Sequence, residues 1–220
     1  VSPMAEHMGL DRDIALIEMT GARYHADQIT TARALPALER AKKNGLDITA
    51  GVGIHHLTLN VLDVADYRTF FKLKPPLRDE EDRIAVVEAV ASGLIDIICS
   101  MHTPQDEESK RLPFEEAASG AVALETLLPA ALRLVHSEMI DIATLWRALS
   151  FNPAKRLGLP GGRMSVGAPA DLVLFDDGAP FVMNREVLRS KSRNTPFDGM
   201  RMQGKVLETY VSGTCIYKAS

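Results

Sequence analysis

The chain has 220 residues, of which 46% are hydrophobic and 25% are charged, and its formal net charge is -4 at pH 7. This length suits one medium domain, or a large piece of one with a small second domain. The slight acidity argues against nucleic acid and anionic membranes as partners, and no apolar run approaches the roughly 20 residues of a membrane span. Two distant cysteines, Cys99 and Cys215, predict buried free thiols and favour a cytoplasmic protein.

The first part of the chain predicts two helices that alternate with two strands. Gly21 follows the first apolar periodic run and ends it, and Pro36 is tolerated only in the first turn of the second helix. The predicted elements are a helix over 4–20, a strand over 22–29, a second helix that ends at Lys43-Asn44-Gly45 and a strand over 46–52. Thr30 and Thr31 are N-cap candidates for the second helix, and Pro36 favours a start nearer Leu35. Because the chain begins at Val1 without an initiator Met and enters a helix at once, we expect further residues upstream.

The middle of the chain continues the alternation. Residues 94–100 form a continuous apolar run, which is typical of a strand buried on both faces of a parallel sheet. The other predicted elements are a helix over 79–92, a polar loop over 101–113 and two helices over 117–136 and 141–149. This βα order predicts a parallel sheet or barrel whose chemistry lies at the carboxyl ends of the strands.

From about residue 160 the pattern changes to short strands separated by Gly and Pro. Strands are predicted over 171–175, 204–211 and 214–217, with Ser212-Gly213 as a hairpin turn. The sequence therefore predicts a small β-rich unit beside an α/β unit.

Runs spread over nearly the whole chain resemble the long bacterial type of dihydroorotase, in the amidohydrolase superfamily. Their order and spacing carry the resemblance more than any one of them does. They include Pro3-Met4-Ala5-Glu6, Thr20-Gly21-Ala22-Arg23-Tyr24-His25, His55-His56-Leu57, Pro75-Pro76-Leu77-Arg78, Asn152-Pro153-Ala154, Gly167-Ala168-Pro169-Ala170-Asp171 and Ser190-Lys191-Ser192-Arg193-Asn194-Thr195-Pro196-Phe197.

The resemblance implies an α/β fold in which a partial (β/α)8 TIM-type barrel, with its later strands and helices, occupies residues 1–158. Residues 159–220 would form part of a small β-sandwich domain. The implied reaction is the reversible closure of N-carbamoyl-L-aspartate to dihydroorotate in pyrimidine biosynthesis, a cyclic amide hydrolysis in reverse. The implied cofactor is zinc, held by His-x-His, an Asp or carboxylated Lys, two further His and an Asp at strand ends.

Two of those ligand positions fall within this chain, and both are substituted. Where the family pattern is His-Val-Ser-Thr, this chain has Gln28-Ile29-Thr30-Thr31, so Gln28 stands in the place of a ligand His. Where the family pattern is Thr-Asp-His-Ala-Pro-His, the run is Ser100-Met101-His102-Thr103-Pro104-Gln105, so Met101 stands in the place of the Asp. Positions that contact substrate in the family differ too, at Lys74 and Gln105, and a family Phe-Gly pair is Ser119-Gly120 here.

These substitutions predict that the family mechanism is impaired or lost. A bound Zn²⁺ lowers the pKa of its water to about 7, and a carboxylate beside it accepts the proton. Met101 has no basic form, and its thioether is a soft neutral donor that suits zinc poorly. We therefore assign no catalytic residue, and we expect that Gln28 and Met101 do not hold zinc.

Other candidates for the substrate pocket have two interpretations each. His55 and its neighbour His56 are either pocket residues or a loop pair that caps backbone groups. His102 is either a ligand or, as we favour, a hydrogen-bonded structural histidine. Lys74 is either an anion contact or, as we favour, a solvated lysine.

Two main functions remain open from the sequence, beside a third in which the chain only binds a carbamoyl or carboxylate compound through Lys74 or Arg78. The first is a dihydroorotase or related cyclic-amide hydrolase with a reduced or shifted metal set. The second is a non-catalytic dihydroorotase-like subunit that assembles with aspartate carbamoyltransferase, as the resemblance implies. For partners we expect either a homo-oligomer or a missing N-terminal segment, with neither nucleic acid nor membrane.

Overall fold

The computed structural model describes residues 2–219, and its centre is a parallel sheet of three short strands. These strands are β1 (Tyr24–Ala26), β2 (Ile48–Gly53) and β3 (Ile97–Cys99), in the order β1-β2-β3. Ala26 pairs with Ala50, and Gly53 pairs with Cys99. The prediction of parallel strands is confirmed, although the first is shorter than the predicted 22–29, because the segment after Ala26 already turns into the loop at the end of the sheet. The third is also shorter than the predicted 94–100, since Ile95 N–H still donates to the Ala89 carbonyl of the preceding helix.

The helices beside this sheet begin and end where local chemistry predicts. Helix α1 (Pro3–Thr20) is capped by the Ser2 side chain and ends at Gly21, which has a left-handed φ of 66°. Helix α2 (Leu35–Lys43) carries Pro36 in its first turn. The short helix α3 (Ile54–Thr58) follows β2 directly, and α4 (Glu80–Ala91) is capped by Asp79. The predictions for α1, α2 and α4 are confirmed.

The helices after β3 differ from the prediction over 117–136. Helix α5 (Glu107–Arg111) lies within the predicted loop, and α6 spans only Leu127–His136. Residues 117–126 are not helical, because their backbone groups bond elsewhere: Val122 N–H donates to the Asn194 carbonyl, and Ala121 pairs with His102. Helix α7 (Ile142–Trp146) continues through a π-helical turn, Arg147–Phe151, into α8 (Asn152–Leu157).

A second sheet is antiparallel and consists of β4 (Leu172–Val182), β5 (Arg201–Val211) and β6 (Thr214–Lys218). Ser212 and Gly213 connect β5 to β6 with φ of 48° and 79°, which confirms the predicted hairpin turn. The sheet contacts the first layer where Gly204 of β5 meets Leu132 of α6. The boundary between residues 158 and 159 stays a prediction.

The prediction of two buried cysteines is wrong for one of them. Cys99 on β3 is half-buried, whereas Cys215 is exposed. Cys215 lies on β6, which is an edge strand of its sheet and has a neighbour on one side only. Within residues 2–219, no helix is both long and apolar enough to cross a bilayer.

Candidate functional site

The carboxyl ends of the three parallel strands meet at one edge, which we call the strand-end site and define by Gln28, His56 and Met101. Gln28 lies two residues after β1, His56 lies in α3 immediately after β2, and Met101 lies two residues after β3. Because parallel strands all end at the same edge, the topology brings these three segments together. The two positions that the resemblance gives as metal ligands therefore lie where a barrel keeps its chemistry.

Met101 packs over the end of β2. Its φ of 51° is uncommon for a residue other than glycine. A Cβ atom placed on Gly53 would lie 2.6 Å from Met101 Cγ and 3.2 Å from His56 Nδ1. Gly53 thus leaves the space that the Met101 side chain occupies, next to the imidazole of His56.

Gln28 presents a neutral oxygen at this edge. Its Oε1 atom is buried and has no hydrogen-bond partner among the described residues. The backbone beside it is fixed, since Ile29 N–H donates to the Gly51 carbonyl over 2.9 Å. The amide oxygen is therefore buried beside a fixed backbone without a hydrogen bond to any described residue.

The loop that carries Gln28 is held by a buried carboxylate from α1. Glu6 Oε1 accepts hydrogen bonds from the backbone N–H groups of Thr30 (2.8 Å) and Thr31 (2.9 Å), and their hydroxyl groups donate to the same carboxylate. Arg78 Nη2 lies 3.4 Å from Glu6 Oε2, and Arg78 Nε donates to Thr30 Oγ1 over 3.0 Å. The sequence analysis did not identify Glu6 as a site residue, because its partners lie at least 24 positions away.

His55 and His56 lie in α3 and not in a loop. His56 Nε2 lies 3.0 Å from the Pro75 carbonyl, which can only accept, so Nε2 carries the proton and Nδ1 is a bare lone pair. His55 stacks on Phe197 with ring centroids 5.7 Å apart. Burial lowers the pKa of both rings, that of His55 to about 3 with a contribution from His56, so both are neutral at pH 7.

His102, Gln105, Ser119 and Gly120 are brought together with Asn194. His102 Nδ1 accepts the Ala123 N–H over 3.0 Å, which leaves this ring nitrogen engaged with the backbone. Gln105 Nε2 donates to the Ser119 carbonyl over 3.1 Å. Asn194 Nδ2 donates to the Gly120 carbonyl over 3.0 Å, and Asn194 Oδ1 accepts the Gln105 N–H over 3.3 Å. Four of the candidate pocket residues thus form one backbone-bonded loop cluster.

Two lysines near this loop behave differently. Lys74 is exposed on the loop before α4. Lys110, in the predicted polar loop over 101–113, is instead buried and donates to the Thr69 and Ala118 carbonyls over 2.9 Å and 2.7 Å. Glu107 and Glu108 form the first turn of α5, and Asp106 caps this helix.

Of the three side chains that define the strand-end site, His56 offers an imidazole, but Gln28 and Met101 do not fit zinc. Zinc in proteins is held by thiolate, imidazole and carboxylate groups, whereas Gln28 offers an amide and Met101 a thioether. In the part of the chain that the structure describes, no three His, Cys, Asp or Glu side chains are placed to hold a metal ion.

Comparison with known proteins identifies the family to which this chain belongs. The model of the Amidohydrolase family matches residues 4–216. The chain is 40% identical over 214 residues to a dihydroorotase of Wolbachia sp. subsp. Drosophila simulans (strain wRi), covering 97% of this chain and 48% of that protein. It is 39% identical over 220 residues to a dihydroorotase of Anaplasma phagocytophilum (strain HZ), covering 100% of this chain and 49% of that protein. The chain thus spans about half the length of these relatives.

Solved structures agree on the fold. The L-hydantoinase (dihydropyrimidinase) from Arthrobacter aurescens superposes with a TM-score of 0.92 at 27% identity, over 96% of this chain and 48% of that one. The dihydropyrimidinase from Brevibacillus agri NCHU1002 superposes with a TM-score of 0.91 at 23% identity, over 99% and 49%. The partial TIM-type barrel with a β-rich unit is therefore the amidohydrolase arrangement over about half of its length.

Proposed function

The chain belongs to the amidohydrolase family, and from this we propose that it is a cytoplasmic, dihydroorotase-like protein whose zinc-dependent hydrolysis is impaired or lost. The reaction concerned is the interconversion of N-carbamoyl-L-aspartate and dihydroorotate. The observation that carries the proposal is the position of Met101, whose Cγ would lie 2.6 Å from a Cβ atom on Gly53 at the end of β2. A thioether fills the place in which the resemblance implies a carboxylate.

The chemical properties of the residues at positions 28 and 101 support the proposal. Opening or closing a cyclic amide at neutral pH needs an activated water and a group that accepts its proton. Removing a positioned acid or base typically lowers a rate by about 10² to 10⁴. Gln28 and Met101 supply neither a basic group nor a zinc ligand, so the loss at these two positions is larger than that of a single proton acceptor.

The test restores the two side chains in the full-length protein. We expect the wild type to bind zinc well below one ion per chain and to hydrolyse dihydroorotate slowly or not at all. The double variant Gln28→His with Met101→Asp should raise zinc content and hydrolysis together. The matched control replaces an exposed pair of the same residue types, Gln203→His with Met164→Asp.

The outcomes are distinct. Near-stoichiometric zinc and rapid hydrolysis by the wild type contradict the proposal. If the control pair raises zinc content as much as the restoring pair, the gain comes from added surface ligands and the strand-end site is not the cause. Zinc content is measured by atomic absorption, so the result does not depend on activity alone.

A second candidate is a non-catalytic subunit that assembles with aspartate carbamoyltransferase. In that assembly the protein is either a homo-oligomer or is completed by a further segment of its own chain. It is favoured by identity of about 40% to dihydroorotases along the whole chain beside two substituted ligand positions. A protein selected for assembly keeps its core and surfaces while its ligand positions change. Sedimentation of the full-length protein alone measures its self-association. Sedimentation of its mixture with aspartate carbamoyltransferase measures the assembly of the two proteins. Separate sedimentation of the two proteins contradicts this candidate.

A further inference from the structure

A groove of about 780 Å³ opens between the last turn of α6 and the paired segments of β4 and β5. The groove lies beside a close contact between α6 and β5. A Cβ on Gly204 would lie 2.4 Å from Leu132 Cδ1, so α6 lies directly on β5 at this point. The groove opens along the neighbouring residues, where Phe181 pairs with Met202 and Val182 with Arg201. Its volume lies within the roughly 300–1,000 Å³ of small-molecule sites.

The lining of the groove combines apolar and basic side chains. Phe181 and Val182 supply apolar surface, whereas Met202 borders the groove but is itself buried. Arg133, His136 and Arg201 supply the basic groups, and the lining includes no acidic side chain. This contrasts with the net charge of -4 for the chain as a whole.

Helix capping explains only part of this basic character. Arg133 and His136 lie in the last turn of α6, where basic residues are favoured by the helix dipole. Arg201 lies on a strand, so the dipole gives no reason for it. Both arginines are exposed, and neither forms an ion pair with another residue in the range 2–219. Guanidinium groups of this kind bind carboxylate and phosphate with paired hydrogen bonds.

We propose that this groove is a binding site for a small organic anion. A carboxylate or phosphate of the ligand binds the guanidinium groups of Arg133 and Arg201, and its apolar body packs on Phe181 and Val182. The groove lies outside the strand-end site, so the proposal holds whether or not the protein hydrolyses dihydroorotate.

The test uses three probes that share one ring and differ in charge: phenyl phosphate, benzoate and benzyl alcohol. Binding to the full-length protein is measured by saturation-transfer difference NMR and titration. We expect both anions to bind more tightly than the alcohol, with an affinity that falls as salt is added. The relative affinity of phenyl phosphate and benzoate then distinguishes a phosphate site from a carboxylate site.

Variants locate the site. Arg133→Gln with Arg201→Gln should weaken both anions at least tenfold and leave the alcohol unchanged, whereas Phe181→Ala should weaken all three probes. Arg163→Gln, at an exposed arginine outside the groove, is the matched control and should change nothing. The proposal fails if the alcohol binds as tightly as the anions, if the double variant binds the anions normally, or if the control weakens them equally. Unchanged thermal unfolding midpoints verify that the variants are folded.

Discussion

Glu6 of α1 and Arg78 of the loop before α4 face each other with Oε2 and Nη2 3.4 Å apart, and both side chains are about nine-tenths buried. Thr30 lies between them and bonds to both. The pair therefore joins three segments, α1, the loop after β1 and the loop before α4. Since that middle loop carries Gln28, the position of Gln28 depends on a contact made by a different helix.

Replacing this carboxylate by an amide should destabilise the fold. We expect Glu6→Gln to lower the free energy of unfolding by about 3 kcal/mol, because the buried carboxylate that faces Arg78 and accepts hydrogen bonds from Thr30 and Thr31 loses its charge. Urea unfolding measures the change. The matched control is Glu39→Gln, which breaks an exposed pair with Lys43 and should change the free energy of unfolding by less than about 0.5 kcal/mol. Equal effects of the two variants contradict the role given to the buried pair.

Filling the space at Gly53 should disturb the strand-end site. Gly53→Ala places a methyl group 2.6 Å from Met101 Cγ, so the Met101 side chain must move. We expect a loss of about 1–3 kcal/mol in urea unfolding. In the background of Met101→Ala most of that loss should disappear.

The control for Gly53 is Gly9, which lies inside α1 with open space where an added methyl group would lie. Gly9→Ala should stabilise the protein by about 0.5–1 kcal/mol, because alanine favours the helix. If Gly53→Ala is also stabilising, the Met101 side chain does not pack against β2 as described.

Local chemistry was enough to predict much of the fold. Pro36 located the start of α2, Asp79 and Ser92 bounded α4, and Ser212-Gly213 located the hairpin, because each acts through its own backbone or its nearest neighbours. The helix predicted over 117–126 failed for the opposite reason. The backbone of Val122 bonds to residue 194, and such a distant partner leaves no periodic signal.

The residues of the candidate site also comprise some that local sequence predicted and some that it did not. The substitutions Gln28 and Met101 were recognised from runs of neighbouring residues, and both lie at the strand ends. Glu6 and Asn194 were missed as supports of that region. Asn194 bonds across 74 positions to Gly120, and Glu6 across 24 positions to Thr30. Polar residues at single positions carry no information about partners that only the fold brings near.

The buried imidazole of His55 should make stability depend on acid pH. Its pKa is lowered from 6.5 to about 3 in the folded chain, so the unfolded chain binds more protons between these values. The contribution of this group to stability is therefore most favourable above pH 6.5, and it falls by on the order of 4 kcal/mol as the pH decreases toward 3. His55→Gln should remove this component from the pH profile of urea unfolding.

The control for this profile is His136→Gln, at an exposed histidine on the last turn of α6. It should leave the slope between pH 6.5 and pH 3 as in the wild type. An unchanged slope in His55→Gln means that protonation of His55 does not oppose folding, and that other groups cause the loss of stability in acid.

The last prediction concerns Asn194, whose side chain is buried and connects two loops. Its Nδ2 donates to the Gly120 carbonyl and its Oδ1 accepts from Gln105 N–H. Asn194→Ala leaves both backbone groups without this partner, so we expect a loss of about 1–3 kcal/mol and faster proteolysis within residues 103–120. Asn44→Ala, at an exposed helix end, is the control and should change the free energy of unfolding by less than about 0.5 kcal/mol. Unaltered cleavage of this loop in Asn194→Ala contradicts the prediction, because the loop then depends on other contacts for its order.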